Sequence, residues 1–245
     1  MEEKKNKITD SQNCDADSGV CNFDENIDKG STDENSATTR VELIYVGDPM
    51  CSWCWGISDE IEKIRNQFKD TLEFRVILGG LRPGGGDPWN DEFKSFLKEH
   101  WTHVNQRSGK LFSFELFKKA YFDYDTEPPS RAVRIVRDML PEKEFDFFKE
   151  VQHRFYVENE DPGNIDFYKP ICEKFGIDFS IFIEHFQSDK YKRLTKEDFQ
   201  ESRQLGVSGF PSVLLKNAEH IFPISYGFST SEKMTQRLNE IMTSD

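Results

Sequence analysis

Two cysteines separated by two residues, Cys51 and Cys54, have the type and spacing best suited to chemistry in this chain. A thiolate is the species that attacks a disulfide, and the second cysteine of such a pair can resolve the mixed disulfide formed on the first. Ile57, Ile61 and Ile64 follow with helical spacing, so the pair is predicted to open a helix. The N-terminus of a helix favours an anion, so we expect a moderately lowered pKa for Cys51.

The same cysteine spacing is compatible with two other roles. Cys-x-x-Cys supplies two ligands to structural zinc, but such a site needs a second Cys/His pair. The sequence has no second close cysteine pair, and His100 and His103 are more typical of packed or surface histidines. The two thiols could also be buried and inert. A strand before the pair and a helix after it favour redox chemistry over both roles, and no metal site is expected.

The elements around the pair predict an α/β fold. A β-rich run at residues 41–46 ends in Gly-Asp-Pro, the helix follows the cysteines, and a second strand is predicted at residues 72–78. A long block of helical patterns broken by prolines comes next. Two strand patterns and a final amphipathic helix close the chain, at residues 211–216, 220–226 and 231–242.

The predicted domain organisation has three parts. Residues 1–39 are polar and acidic with few apolar side chains, so they cannot bury enough surface to fold and are interpreted as a disordered acidic tail. Residues 40–87 and 204–245 supply the strands and flanking helices of one domain. Residues 88–203 form a helical insertion, and one of its predicted helical patterns consists of Phe114, Phe117 and Tyr121.

Composition and charge argue against several classes of function. A formal net charge of -13 repels phosphate backbones, so nucleic acid is not an expected partner. No apolar run approaches the roughly 20 residues of a membrane-spanning helix, and no secretory signal is recognisable, so we expect a cytoplasmic protein. Five cysteines are too few for a disulfide scaffold in 245 residues. Cys14 and Cys21, in the tail, are either incidental or a redox appendage.

A proline directly before a predicted strand, Pro211, completes a recognisable order of elements. Strand, Cys-x-x-Cys helix, strand, helical block, then proline-led strand, strand and helix resembles the DsbA-like branch of the thioredoxin superfamily, over about residues 41–242. Three segments are similar to motifs of its cytoplasmic members, which are often described as predicted protein disulfide isomerases, at residues 48–56, 78–84 and 125–132.

The resemblance implies a thioredoxin-like fold with an inserted helical domain, and a reductase or isomerase of protein or peptide disulfides. By position, Cys51 is the nucleophile and Cys54 its resolving partner. Pro211 is implied to be a cis-proline facing the nucleophile, with Phe210 beside it, in a loop that offers backbone groups to an extended substrate. Trp53 either helps to bind substrate or packs against the insertion. No cofactor is implied; glutathione is a possible electron donor, and the redox partner is unknown.

Other functions and roles stay open at this point. Some cytosolic DsbA-like proteins are adaptors that hold a client for a protease, with the cysteine pair sensing redox state. The related isomerase and kappa-type glutathione transferase group generally has a single active-site Ser or Cys, which disfavours it here. The missing signal and the missing His before Cys54 argue against a secreted oxidant. Asp48 either exchanges a proton with the pair or only forms the turn, and Arg82 either lies near the thiolate or is solvated.

Overall fold

Residues 14–15, 20–22, 41–218 and 220–243 are described by the structure, a computed structural model. In chain order, the described strands are β1 (Cys14–Asp15), β2 (Val20–Asn22), β3 (Glu42–Gly47), β4 (Glu73–Leu78), β5 (Gly209–Phe210), β6 (Ser212–Asn217) and β7 (His220–Tyr226). The described helices are α1 (Ser52–Phe68), α2 (Asp91–Ser108), α3 (Glu127–Met139), α4 (Glu144–Tyr156), α5 (Lys169–Phe175), α6 (Phe179–Gln187), α7 (Asp189–Gln204) and α8 (Ser231–Met242).

The central sheet has the spatial order β4-β3-β6-β7. β3 and β4 are parallel and joined through α1, whereas β6 is antiparallel to both β3 and β7. This is a strand-helix-strand unit joined to a hairpin and a last helix, the arrangement of a thioredoxin-like fold. The predicted α/β class and its helical insertion are therefore confirmed. The predicted strands and the predicted closing helix begin within one residue of their expected positions.

β3 lies in the middle of the core. Residues 43–47 of this strand are all buried, as expected for a strand covered on both faces. Ile57, Ile61, Ile64 and Phe68 of α1 are buried in the same cluster, so the apolar spacing read from the sequence is the face of the helix that contacts the sheet. The N-terminus of α1 is thereby fixed at the end of β3, where the cysteines lie.

Side chains of the helical insertion cover the outer edge of β4. The Leu78 N–H donates to Asp198 Oδ2 over 3.2 Å, and the Val76 carbonyl accepts from Arg137 Nη2 over 3.0 Å. Arg137 also binds both carboxylate oxygens of Asp198, at 2.9 and 2.6 Å, and Glu144 at 2.6 Å. The edge strand is thus hydrogen-bonded on both sides. At the opposite edge of the sheet, β7 carries Pro223 opposite Leu214.

The helix predicted from the spacing of Phe114, Phe117 and Tyr121 is wrong. The structure has a single 3-10 turn at Glu115–Lys118, and Tyr121 is 76% exposed. Phe114 and Phe117 instead pack against Trp101, whose ring centroid lies 6.3 Å from that of Phe114 and 4.8 Å from that of Phe117. The helix-like spacing of these aromatic residues in the sequence therefore does not correspond to an α-helix.

Two sequence predictions are only partly covered by the described residues. The tail prediction, residues 1–39, lies outside them except for β1 and β2, which form a three-stranded sheet with β5 in the order β1-β2-β5. The domain boundaries at residues 87/88 and 203/204 stay predictions. No helix in the described ranges is long and apolar enough to cross a membrane.

Candidate active site

The two cysteines sit where β3 gives way to α1. Cys51 is the N-cap residue of α1, with extended backbone (φ -85°, ψ 118°), and Cys54 lies in the first turn. A turn delivers the chain to this position: the Cys51 N–H donates to the Asp48 carbonyl over 3.0 Å, and the Met50 N–H donates to Asp48 Oδ1 over 2.8 Å. Both cysteines are buried and reduced.

Each sulfur atom has a defined polar contact. The Cys51 thiol donates to the carbonyl of Phe210 over 3.7 Å, across 159 residues of sequence. Cys54 Sγ accepts from the Asp48 N–H over 3.5 Å. The first cysteine therefore faces the strand that precedes Pro211, and the second faces the turn that precedes the helix.

Burial raises the pKa of the Cys51 thiol well above its ordinary value. The hydrogen bond and the charge interaction with Cys54 raise this pKa further, while the backbone N–H of Cys54 lowers it. The lowered pKa expected from the helix N-terminus is therefore wrong for this buried state. The helix contributes in the expected direction, but removal of the sulfur from water outweighs it.

Asp48 is completely buried, and burial raises its carboxyl pKa from 3.8 to about 6. Hydrogen bonds from the Leu81 and Met50 N–H groups and from the Thr126 hydroxyl act in the opposite direction. Of the two roles considered from the sequence, these contacts support the turn-forming one. The main-chain N–H of Asp48 contacts a cysteine sulfur, whereas its carboxylate accepts from the Met50 and Leu81 N–H groups.

The three motifs behind the family resemblance are joined by hydrogen bonds. Leu81 of the second motif donates its N–H to Asp48 Oδ2 of the first over 2.8 Å. The Arg82 N–H donates to the Thr126 hydroxyl of the third motif over 3.0 Å, and the Thr126 N–H donates back to the Arg82 carbonyl over 3.1 Å. Segments that are distant in sequence thus form one support beneath the cysteine pair.

Of the two positions considered for Arg82 from the sequence, the solvated one is wrong. Its guanidinium pairs with Asp87 at 2.6 Å and lies 5.2 Å from the ring centroid of Phe93. Only 10% of the side chain is exposed, so it is not solvated. It braces the glycine-rich loop against α2.

Phe210 and Pro211 lie opposite Cys51, and the peptide bond between them is cis. The Pro211 carbonyl accepts from the Gly227 N–H over 2.8 Å, which ties the loop to the end of β7. Gly79 lies beneath the Phe210 ring: a Cβ at this position would be 2.2 Å from two of the ring carbons. The second motif therefore needs glycine here because the Phe210 ring occupies the space of a side chain.

The two tryptophans of the first motif have different surroundings. Trp53 is 2% exposed, and its ring centroid lies 6.1 Å from that of Phe228. Its indole N–H is buried without a partner among the described residues. Trp55 packs against the insertion, with its indole N–H donating to the Leu111 carbonyl over 3.0 Å and its ring stacked on Tyr156.

Two tyrosines near the pair were missed from the sequence. The Tyr124 hydroxyl donates to the Met50 carbonyl over 2.8 Å and holds the residue before Cys51 in place. Burial raises the Tyr45 pKa well above its ordinary value, and the neighbouring Cys54 raises it further. Tyr45 appears in the sequence as an ordinary strand residue. Tyr124 directly precedes the third motif, which is the one signal that could have singled it out.

The histidines weighed as zinc ligands have other surroundings. His100 Nδ1 lies 2.8 Å from the Phe96 carbonyl of the same helix. In the part of the chain that the structure describes, no group of three or more His, Cys, Asp or Glu side chains is placed to hold a metal ion.

Comparison with known proteins places this geometry in a family. The model of the DSBA-like thioredoxin domain matches residues 42–238. A proposed protein disulfide isomerase from Nitrosomonas europaea is 34% identical, with a TM-score of 0.76, and the match covers 84% of this chain and 98% of that one. The cytosolic disulfide reductase DsbM from Pseudomonas aeruginosa has the same fold, at 19% identity and a TM-score of 0.65, over 82% of this chain and 98% of that one.

A curated relative, the ClpXP adapter protein SpxH from Shouchella clausii, is 19% identical over 87% of this chain and 68% of its own length. The family model and the Nitrosomonas structure both span most of the chain. This chain therefore belongs to the DSBA-like thioredoxin domain family.

Proposed function

We propose that this chain is a cytoplasmic thiol–disulfide oxidoreductase that reduces or isomerises disulfides in proteins or peptides. One observation carries the proposal: Cys51, at the N-terminus of α1, lies with its sulfur 3.7 Å from the carbonyl of Phe210, next to the cis bond to Pro211. An extended substrate that adds to Phe210 through its backbone would bring its disulfide to this sulfur.

In the proposed reaction, the Cys51 thiolate attacks one sulfur of the substrate disulfide and the other sulfur leaves as a thiolate. Cys54 then attacks Cys51, which releases the reduced substrate and leaves a Cys51–Cys54 disulfide. Desolvation is the largest cause of the raised Cys51 pKa, so exposure of this sulfur to water is the step that activates it. The Cys54 N–H then favours the thiolate without opposition from burial.

Each reductive turnover consumes two electrons, which the Cys51–Cys54 disulfide must regain. We propose a small thiol of the glutathione type as the donor, because it can reach a sulfur at the end of a helix without a docking partner. Two donor molecules are oxidised to one disulfide for each substrate disulfide reduced. Isomerisation consumes no electrons from a donor, because a thiol of the substrate attacks the mixed disulfide, forms a disulfide within the substrate and releases Cys51.

The test is reduction of a fluorescent peptide disulfide by the full-length chain with reduced glutathione. Turnover is expected with the wild type and is expected to fall to the uncatalysed rate in Cys51→Ser. Cys172→Ser is the matched control, because Cys172 is also buried and reduced but lies in α5, in a different hydrophobic cluster from Cys51. A Cys51→Ser variant as active as Cys172→Ser would refute the proposal.

A second candidate function is that of a redox-sensing adaptor, which the likeness to a ClpXP adapter protein favours. The two functions differ in what Cys51→Ser changes. An adaptor would still deliver a bound client to the protease in this variant, whereas a catalyst would lose turnover. Absence of peptide-disulfide turnover in the wild type, together with client delivery that survives Cys51→Ser, would establish the adaptor instead.

A further inference from the structure

A segment of this chain already lies where an extended substrate would bind. β2 pairs antiparallel with β5, with Cys21 opposite Phe210 and Asn22 opposite Gly209. β5 is the strand that leads into Pro211, and the carbonyl of Phe210 is the acceptor for the Cys51 thiol. The residue that pairs with Phe210, at the position where substrate is proposed to bind, is thus itself a cysteine.

The second tail cysteine lies opposite the first. β1 pairs antiparallel with β2, with Cys14 opposite Cys21 and Asp15 opposite Val20. Residues directly opposite in an antiparallel pair have Cα atoms about 4.5–5.5 Å apart. Disulfides join Cα atoms about 4.4–6.8 Å apart, so this register has the backbone separation that a Cys14–Cys21 disulfide requires.

We propose that Cys14 and Cys21 are a second redox pair, and that their disulfide is an internal substrate of Cys51 and Cys54. This inference rests on the proposed function, since it uses the same attacking thiol. It takes up the second of the two alternatives left by the sequence, a redox appendage. One register places Cys21 opposite Phe210, directly before Pro211, and a second places Cys14 opposite Cys21.

The exchange needs no reactant from outside the chain. The Cys51 thiol releases its proton to solvent and its sulfur attacks Cys21; a Cys51–Cys21 bond forms, the Cys14–Cys21 bond breaks, and Cys14 leaves as a thiolate that takes up a proton. Cys54 then attacks Cys51 in the same way, and Cys21 leaves. Two electrons have passed to the tail pair, and Cys51–Cys54 is oxidised.

Tethering favours this internal exchange over attack on a free disulfide. Residues 23–40 join β2 to the described chain that starts at Val41, so Cys21 and Cys51 belong to one molecule. The exchange is therefore intramolecular and does not depend on the concentration of a second molecule. Tail and external substrate would compete for the same strand position beside Phe210.

The test traps the mixed disulfide. In Cys54→Ser the resolving step is blocked, so treatment of the full-length variant with oxidised glutathione should accumulate a Cys21–Cys51 bond, identified by mass spectrometry of non-reduced peptides. We expect half-maximal oxidation of Cys51 at a glutathione disulfide concentration about tenfold lower than in Cys54→Ser/Cys14→Ser/Cys21→Ser, where no tail cysteine is left to react with Cys51. Cys54→Ser/Cys172→Ser is the control and should behave like Cys54→Ser.

The result that overturns the inference is Cys51 joined to glutathione, with no Cys21–Cys51 peptide at any concentration. Turnover of the external peptide disulfide by the wild type is measured alongside. If the wild type turns over the external substrate but the cross-link does not form, the second redox pair is refuted and the proposed function is supported. If the cross-link forms but the external substrate is not turned over, the proposed function is refuted and the exchange is internal to the chain.

Discussion

The buried carboxyl group of Asp48 predicts an unusual dependence of stability on pH. In the unfolded chain this group titrates near 3.8, and in the folded chain its pKa is raised to about 6. Between these values the folded state holds a proton that the unfolded state has released, so stability falls as pH rises through this window. Below the window Asp48 is protonated in both the folded and the unfolded state, and above it Asp48 is ionised in both. The contribution of Asp48 to the free energy of unfolding is therefore constant outside the window.

The magnitude follows from the two pKa values. A difference between 3.8 and about 6, at about 1.36 kcal/mol for each pKa unit, amounts to about 3 kcal/mol lost across the whole window. Between about pH 4.5 and about pH 7.5, where the protein is easier to handle, about 2 kcal/mol of that loss remains.

Asp48→Asn removes the titration but keeps the shape of the side chain. Its amide would place an N–H against the N–H of Met50 or Leu81, which lowers stability by about 1–3 kcal/mol at every pH. Urea unfolding of both proteins at a series of pH values gives the quantity that matters, the wild-type free energy of unfolding minus that of the variant. We expect this difference to fall by about 2 kcal/mol between about pH 4.5 and about pH 7.5.

The control is Asp189→Asn, which removes a carboxylate whose side chain is 98% exposed. Its free energy of unfolding should follow the wild type across the series to within a few tenths of a kcal/mol. If the difference for Asp48→Asn is as flat with pH as that of the control, the carboxyl group is not held in the protonated form, and the reasoning from burial is wrong.

Two further predictions concern the elements that hold the site. Gly79→Ala places a Cβ 2.2 Å from the Phe210 ring, so urea unfolding should show a loss of about 1–3 kcal/mol and peptide-disulfide turnover should fall about tenfold or more as the loop moves from Cys51. Arg137→Ala removes the guanidinium that binds both oxygens of the buried Asp198 carboxylate and leaves it the Leu78 N–H and the more distant Arg134, at 3.7 Å. The same unfolding measurement should show a loss of about 3–5 kcal/mol.

Both predictions have surface controls in the same chain. A Cβ in Gly163→Ala meets the carboxyl group of Asp161, with its nearest atom at 3.1 Å, and should change neither stability nor turnover appreciably. Arg193→Ala breaks an exposed pair with Glu197, which contributes about 0.2–1 kcal/mol at most. Wild-type turnover in Gly79→Ala would contradict the explanation for Gly79. An Arg137→Ala protein as stable as Arg193→Ala would contradict the explanation for Arg137.

The parts of the fold that sequence predicts well are those encoded by short-range patterns. α1 could be read from Ile57, Ile61 and Ile64 because helical spacing is a local property, and α8 was placed correctly for the same reason. The cysteine pair was recognisable because both residues lie within one helical turn. The 3-10 turn after α2 was misread because aromatic residues at helical spacing pack equally well around a neighbour such as Trp101.

The parts that could not be predicted depend on contacts across long stretches of sequence. Nothing local to Gly79 shows that the Phe210 ring fills its side-chain space. The raised pKa of Cys51 comes from burial by elements far along the chain, and a sequence shows only the helix N-terminus that acts against it. The pairing of β2 with β5 was hidden because the tail is polar, whereas backbone hydrogen bonds do not require apolar side chains.

The hydrogen bonds from Arg137 and Asp198 to β4 have a consequence for self-association. An uncovered edge strand is a template on which other chains aggregate. Side chains occupy outward backbone groups of β4 on one edge, and on the other edge Pro223 interrupts the series of donors that an added strand would need. Under the proposed function, β5 is thus available to an extended substrate while the main sheet resists being extended into a fibril.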